Sequence, residues 1–263
     1  NELQIPKNFG RVAAGTAKQI VVQRIKEAEK QSISEEFQDK EGELMVGTLS
    51  REDQNNYFVD LGRCSGILPK DQIIPSEKLE MGSSVKVYVS KLEIGPKGPF
   101  IMLSRSHYGF VKRLLEIEIP ELSDGTIMLY SVARDAGSRS KIAVYTEYTN
   151  VDPIGAVIGE KGRRIANVLK ELSGEKIDVI LYDKDPVKFI ANALSPAKDV
   201  KVSIKDETKK EALALVNDKN LSLAIGKKGQ NVKLASRLTH YKIEVKPEEQ
   251  ENTETTEETS VEE

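Results

Sequence analysis

The stretch VIGEKGRRI, residues 157 to 165, returns sixty-seven residues later as AIGKKGQNV, residues 224 to 232. Matching the glycines sets Ile158 against Ile225, Gly159 against Gly226, Gly162 against Gly229 and Ile165 against Val232. After a one-residue deletion, KIDV at 176 meets KIEV at 242. Two glycines alone are a weak signal. Glycines, flanking apolar positions, a following helix and a closing strand, twice in one order, define a tandem repeat of one supersecondary unit. A chain of 263 residues built this way is expected to carry several small domains and no single large core.

Around the repeat the pattern alternates. TIMLYSVARDAGSRSKIAVYT predicts two strands about a Gly-Ser-Arg-Ser loop, and PIGAVIGEKGRRIANVLKELSGEKIDVI predicts helix, glycine loop, helix and strand. DPVKFIANAL is a further helix, with Asp185 as its cap and Pro186 in the first turn, where a missing N–H leaves nothing unsatisfied. Two strands, AKDVKVSIKD and KEALALVND, lead into the second glycine loop. Upstream, Ala13, Ala17, Ile20, Val21, Ile25 and Ala28 recur at helical spacing and predict an amphipathic helix of about 20 residues. From Gly42, five short β-type runs punctuated by Gly and Pro within about 65 residues predict a small barrel. In NYFVDL, alternation puts Tyr57, Val59 and Leu61 on one face and Phe58 with Asp60 on the other.

Charge is unevenly placed. The net charge is −3, yet residues 247 to 263 alone carry eight glutamates and no basic residue, which leaves +5 on the rest. Between Thr126 and Lys246 there are 22 Lys and Arg against 15 Asp and Glu. The C-terminal half is therefore a basic surface suited to a polyanion, and the tail is expected to be disordered. Cys64 is the only cysteine, so an internal disulfide and a cysteine zinc cluster are excluded. No apolar run of membrane-spanning length is present, and a cytoplasmic location is expected.

A glycine loop between two helices presents backbone N–H groups at the positive end of a helix dipole, and glycine keeps Cβ atoms away from an approaching sugar-phosphate chain. The expected contacts with such a chain are Gly159, Glu160, Lys161, Gly162, Arg163 and Arg164 in the first copy. In the second they are Gly226, Lys227, Lys228, Gly229, Gln230, Asn231 and Lys233. Glu160 has the wrong sign for a phosphate, so the first loop is expected to bind more weakly.

IGEKGRRI and IGKKGQNV, with their flanks, resemble KH domains, in which such a loop clamps about four nucleotides of single-stranded RNA. The barrel run EGELMVGTLSREDQNNYFVDLGRCSGILP with IMLSRSH resembles the S-one type of OB-fold. Its third strand holds Ile67, Leu68 and Pro69 where many such barrels carry an aromatic and a histidine, so weak binding by the barrel alone is expected. In the barrel, the likeness of this run to the S-one type of OB-fold implies Phe58 as the stacking residue, with Arg105 and His107, near the end of the last strand, reaching the same RNA. Together with IPKNFGRVAAGTAKQIVVQRI, SVARDAGSRSKIAV and FIANALSPA, these stretches resemble the NusA family of bacterial transcription factors over nearly all of residues 1 to 246. The resemblance implies an elongation factor that binds nascent single-stranded RNA, RNA polymerase and other elongation or antitermination factors, and modulates pausing, termination and antitermination. Two alternatives keep RNA as ligand: an RNA-processing subunit of the polynucleotide phosphorylase type, and a ribosome-associated KH protein.

The expected class is α+β and multidomain, an OB-fold barrel followed by two tandem bacterial-type KH domains. The expected boundaries are a helical N-terminal end or linker over 1 to 40, the barrel over 41 to 108 and a connector over 109 to 125. The first KH domain is expected over 126 to 197, the second over 198 to 246, and an acidic tail over 247 to 263. No catalytic residue, metal or cofactor is expected, and the chain is expected to be a monomer without a membrane partner. Neither a Walker loop nor a Rossmann glycine fingerprint is present, and His107 and His240 lie in unrelated segments.

Overall fold

The computed structural model describes residues 9 to 248 apart from 76, 96 and 97. The tail expected over 247 to 263 lies outside the described residues from position 249 onward; of its first two positions, Pro247 ends a strand and Glu248 pairs with Lys201. The chain divides into two compact units, one reaching Arg105 and the other starting at Ser106, with residues 74 to 78 belonging to the second.

The first unit opens with α1 (Phe9–Gln38), followed by β1 (Leu44–Glu52), β2 (Asn56–Asp60), β3 (Ser65–Pro69), β4 (Ser84–Gly95) and β5 (Gly98–Ser104). The five strands close into a barrel in the order β1-β2-β3-β5-β4, with β3 and β5 parallel and the other pairs antiparallel. Alternation selects the interior as expected. Val59 is fully buried with Leu49, Leu68, Val87 and Ile101, Tyr57 and Leu61 pack against that core, and Phe58 lies outside it. Helix α1 is longer than expected, at 30 residues. Ile20, Val21, Val22 and Ile25 are exposed, and Phe37 near the end of the helix enters the barrel core.

The second unit contains the repeat. Helices α2 (Tyr108–Glu118) and α3 (Pro120–Ser123) precede β6 (Met128–Asp135), β7 (Arg139–Tyr145), α4 (Pro153–Ile158), α5 (Arg163–Glu171) and β8 (Lys176–Leu181). The same series returns as α6 (Pro186–Ala193), β9 (Lys201–Asp206), β10 (Glu211–Val216), α7 (Asp218–Ile225), α8 (Gln230–Thr239) and β11 (Lys242–Pro247). Each copy builds a three-stranded sheet whose closing strand, KIDV or KIEV, pairs in parallel with the second strand of the copy. Asp185 caps α6 as expected, its Oδ1 accepting the Val187 N–H at 2.9 Å, and Asp152 and Asn217 cap α4 and α7.

Two helices act differently from a linear reading. The stretch expected as a connector, α2, packs on α5 and β6. Helix α6 packs on β9 and α8 as well as on β8, and it holds in the second copy the place that α2 and α3 hold in the first. Phe189, Ile190, Ala193 and Leu194 from α6 and its end join Ala133, Ala143 and Ile180 of the first sheet and Leu234, Ala235 and Leu238 of α8 in one buried cluster. The two copies therefore share a hydrophobic core, which burial of apolar surface stabilises as one body.

A buried polar network reinforces the first sheet. Glu175, fully buried, accepts from Arg134 Nη2 at 2.9 Å, from the Gly137 N–H at 3.0 Å and from Ser140 Oγ, and so pins the β6–β7 hairpin. Beside it Asp178 accepts from Arg139 Nε at 2.7 Å and Lys141 Nζ at 3.1 Å, and Lys141 also donates to the Ser195 carbonyl at 2.7 Å. Burial pushes the Asp178 carboxyl up, but the Arg139 hydrogen bond and the Lys141 charge outweigh it and hold the group below the ordinary carboxylate range.

Candidate nucleic-acid interface

The two glycine loops have the same backbone. Gly159 and Gly226 both lie at φ 73°, with ψ 173° and 170°. Lys161 and Lys228 are left-handed at φ 53° and 55°, and Gly162 and Gly229 share φ 74°. Each loop is a single 3-10 turn closed by the second glycine's N–H on the first glycine's carbonyl, at 3.0 and 3.1 Å. The N–H of Arg163 and of Gln230 also turn inward, onto Glu160 and Lys227. Fewer loop amides are thus left to face an anion than an open loop would offer.

The glycines of each pair do different things. A Cβ on Gly226 would sit 2.7 Å from Asn231 Cβ and 2.8 Å from Asn231 N, and one on Gly159 would sit 2.7 Å from Arg164 Cγ. The first glycine lets the following helix approach. A Cβ on Gly162 would meet nothing within 4 Å, and one on Gly229 would meet only Lys233 Cε at 3.7 Å and Val232 Cγ1 at 4.0 Å. The second glycine presents a bare backbone face to solvent, where a phosphate can make direct contact.

Charge gathers on that face. Lys161 and Arg163 in the first copy and Lys227, Lys228, Lys233 and Arg237 in the second are exposed, and none has a hydrogen-bond or ion-pair partner among the described residues. Glu160, within the first loop, is exposed.

Two expected contacts are instead structural staples. Arg164 Nη1 donates to the Glu121 carboxylate at 2.9 and 2.8 Å and to the Ala156 carbonyl at 2.9 Å. Asn231, 2% exposed, donates through Nδ2 to the carbonyls of Leu194, Leu223 and Ala224 at 3.0, 3.1 and 3.0 Å. The two residues hold the same place in the repeat, and Ala156 and Leu223 hold equivalent places too. Each side chain satisfies carbonyls at helix C-termini that have no partner within their own helix. Gln230 is also engaged: its Nε2 donates to Asp135 Oδ2 and, at 2.7 Å, to Ser138 Oγ.

The barrel residues separate. Phe58 faces outward, half-buried, with the Arg51 guanidinium 4.0 Å above its ring. Strand register continues the row from Arg51 and Phe58 through Ile67 to Met102 and Lys91. This outer strip of an aromatic, two apolar side chains and two cations suits the face and phosphate of a nucleotide. Arg105 does not reach it. The strand ends at Ser104, and Arg105 is 2% exposed, its backbone N–H on the Gln72 carbonyl and its guanidinium on the Lys86 carbonyl. His107 belongs to the second unit, where its Nδ1 accepts the Gly109 N–H at 3.1 Å as the cap of α2. Burial, then the Arg134 charge, lowers the His107 pKa and keeps the neutral, accepting form.

Two features went unread in the sequence. A groove of about 680 Å³ runs along the edge strand β8, lined by Ile154 of α4, Val179 and Leu181 of β8, and Lys198 to Val200. A second cleft, of about 490 Å³, lies between the second loop and the β6–β7 hairpin. The Gly-Ser-Arg-Ser loop marks that hairpin in the sequence, but its placement beside the second loop follows from the shared core alone.

Among the described residues, no group of three or more His, Cys, Asp or Glu is placed to hold a metal, and no helix is long and apolar enough to cross a membrane. Burial, then Glu36 and Asp60, pushes the Cys64 thiol up to about 11, which leaves it a poor nucleophile at neutral pH.

Family models match in three places: the NusA-like first KH domain over residues 105 to 182, the NusA-like second KH domain over 186 to 253, and the NusA N-terminal domain over 1 to 31. The chain is 44% identical over 249 residues to the transcription termination/antitermination protein NusA of Mycobacterium tuberculosis, covering 92% of this chain and 72% of that one. The chain belongs to the NusA family. It is 49% identical to the NusA proteins of Halalkalibacterium halodurans and Bacillus subtilis, each over 92% of this chain, and spans 63% and 65% of their lengths. The NusA models for the two KH domains fall on the two copies of the repeat, the second beginning at α6.

Proposed function

We propose that this chain is an RNA-binding transcription elongation factor that holds single-stranded nascent RNA by its two glycine loops and acts by binding, without chemistry. The observation that carries this reading is the duplicated loop. The two backbones agree within a few degrees, each second glycine is open to solvent, and unpartnered cations stand beside both. Phosphates lie against Gly162 and Gly229 with Lys161, Arg163, Lys227, Lys228 and Lys233 around them, which positions the RNA. Sequence preference comes from base edges. The β8 edge groove supplies room for unstacked bases, and Phe58 on the barrel supplies a stacking surface.

The relatives, transcription termination/antitermination proteins by name, support termination and antitermination of transcription as the process. RNA polymerase and other elongation or antitermination factors are the partners proposed, in the cytoplasm, with the chain as a monomer. The test is the affinity of a labelled single-stranded RNA library for this chain and for the Gly162→Asp, Gly229→Asp double variant at two salt concentrations. Asp tolerates left-handed φ, and neither site is crowded, so the variant stays folded. Salt-sensitive binding that the variant loses supports the loops as the RNA site. Binding that a folded variant retains refutes it.

A further inference from the structure

The cleft between the second loop and the β6–β7 hairpin contains one group that phosphate binding does not call for. Lys227, Lys228, Lys233 and Arg237 line it from the loop and α8, and Asp135 lines it from the hairpin, exposed. A carboxylate set among four cations weakens their attraction for a polyanion, so it needs another reason to stand there. Holding Gln230 occupies only one of its acceptor positions, the other N–H of that amide going to Ser138 Oγ at 2.7 Å. The hairpin is fixed in place by buried Glu175, which takes both Arg134 and the Gly137 N–H. It is also held by α8 packing on β6 and β7. The Asp135 carboxylate is therefore positioned beside the loop before any ligand arrives.

We propose that Asp135 selects the base seated on the second loop, accepting a hydrogen bond from an exocyclic amino group at the base edge and rejecting uracil, whose O4 brings a lone pair to the same place. The inference rests on the reading of the loop as an RNA clamp. A carboxylate is an acceptor only and offers about four acceptor positions, of which the Gln230 amide uses one. Cytosine N4 is a donor suited to such a carboxylate, and the uracil ring has the same size with a carbonyl in place of the amine. The geometry makes the first copy of the repeat contribute the selecting group to the second copy's site. It also explains why the amide of Gln230 points at the hairpin: it marks the place where an amino group is accepted.

The experiment is fluorescence anisotropy of labelled oligo(C) and oligo(U) of equal length at pH 7.5, with the whole chain and with the Asp135→Asn, Ser138→Ala and Gly229→Asp variants. The wild-type chain is expected to prefer oligo(C) about tenfold, the size of one hydrogen bond to a charged acceptor. Asn carries both a donor and an acceptor, so Asp135→Asn is expected to bring the two affinities within about twofold, chiefly by strengthening oligo(U) binding. Ser138→Ala should keep the wild-type ratio. Equal wild-type affinities, or a preference that Asp135→Asn leaves intact while Gly229→Asp abolishes binding, overturn the inference and leave the clamp standing. Binding that Gly229→Asp does not weaken, or no binding at all, overturns the clamp and the inference together.

Discussion

Substituting alanine for each glycine of the second loop separates the two tasks assigned to them. At Gly226 the new Cβ falls 2.7 Å from Asn231 Cβ and 2.8 Å from Asn231 N. Both atoms belong to the start of α8, and Asn231 is buried, so relief requires moving the helix rather than turning a side chain. The backbone there, φ 73° with ψ 170°, is a region that only glycine enters easily, at about 1–3 kcal/mol for another residue. Overpacking adds about 1–3 kcal/mol. At Gly229 the left-handed conformation costs about 1–2 kcal/mol, and the methyl meets nothing closer than 3.7 Å. Both variants recover about 0.4–1 kcal/mol from the unfolded state. Gly226→Ala should therefore be less stable than Gly229→Ala by about 2 kcal/mol. With a urea slope of about 2 kcal/mol/M its midpoint falls about 1 M earlier. Urea unfolding followed by circular dichroism measures this, and equal midpoints would refute the division of labour between the two glycines.

Replacing Asn231 by alanine leaves three helix-end carbonyls without their donor and should lower stability by about 3 kcal/mol, read in the same unfolding experiment; a loss under 1 kcal/mol would mean that water takes over these bonds. Asp178→Asn should cost about 2 kcal/mol at neutral pH, because Arg139 and Lys141 lose their countercharge. Since the folded-state pKa of Asp178 is depressed, its contribution is present above the unfolded value of about 4 and fades as pH falls through the lower folded value. The wild-type and variant stability curves should accordingly converge in acid, and parallel curves would contradict the assignment. Phe58→Ala should weaken single-stranded RNA binding by about 1–3 kcal/mol if a base stacks there. It should leave the barrel folded, because the ring lies outside the core; unchanged affinity removes the barrel strip from the interface.

The repeat was legible in the sequence because its markers are backbone requirements. Positive φ and the close approach of α5 and α8 admit glycine and little else, so the loops announce themselves. The barrel strand β2 was legible because one buried face imposes strict alternation, with Val59 inside and Phe58 outside. Asp185 with Pro186 marked the start of α6 by a local rule of the same kind. What the sequence hid were the directions of polar side chains. Arg163 and Arg164 are neighbours of equal charge, yet one reaches solvent and the other caps α4 and pairs with Glu121. Asn231 looked like a phosphate contact and is buried, because a polar residue that follows a glycine loop can serve the ligand or the preceding helix equally well by composition. Arg105 was misplaced for a related reason: alternation was carried past Ser104, where the strand ends and the chain turns inward. The assignment of α6 depended on tertiary packing, since a helix between two copies belongs to whichever sheet it covers, and this one touches both.

The most direct measurement of the central claim is hydrogen–deuterium exchange on the whole chain with and without saturating single-stranded RNA. The account predicts that protection on binding concentrates in the two peptides spanning residues 157 to 165 and 224 to 232, with the β6–β7 hairpin beside the second. Protection confined to other surfaces, with both glycine loops exchanging as fast as in the free chain, would contradict it.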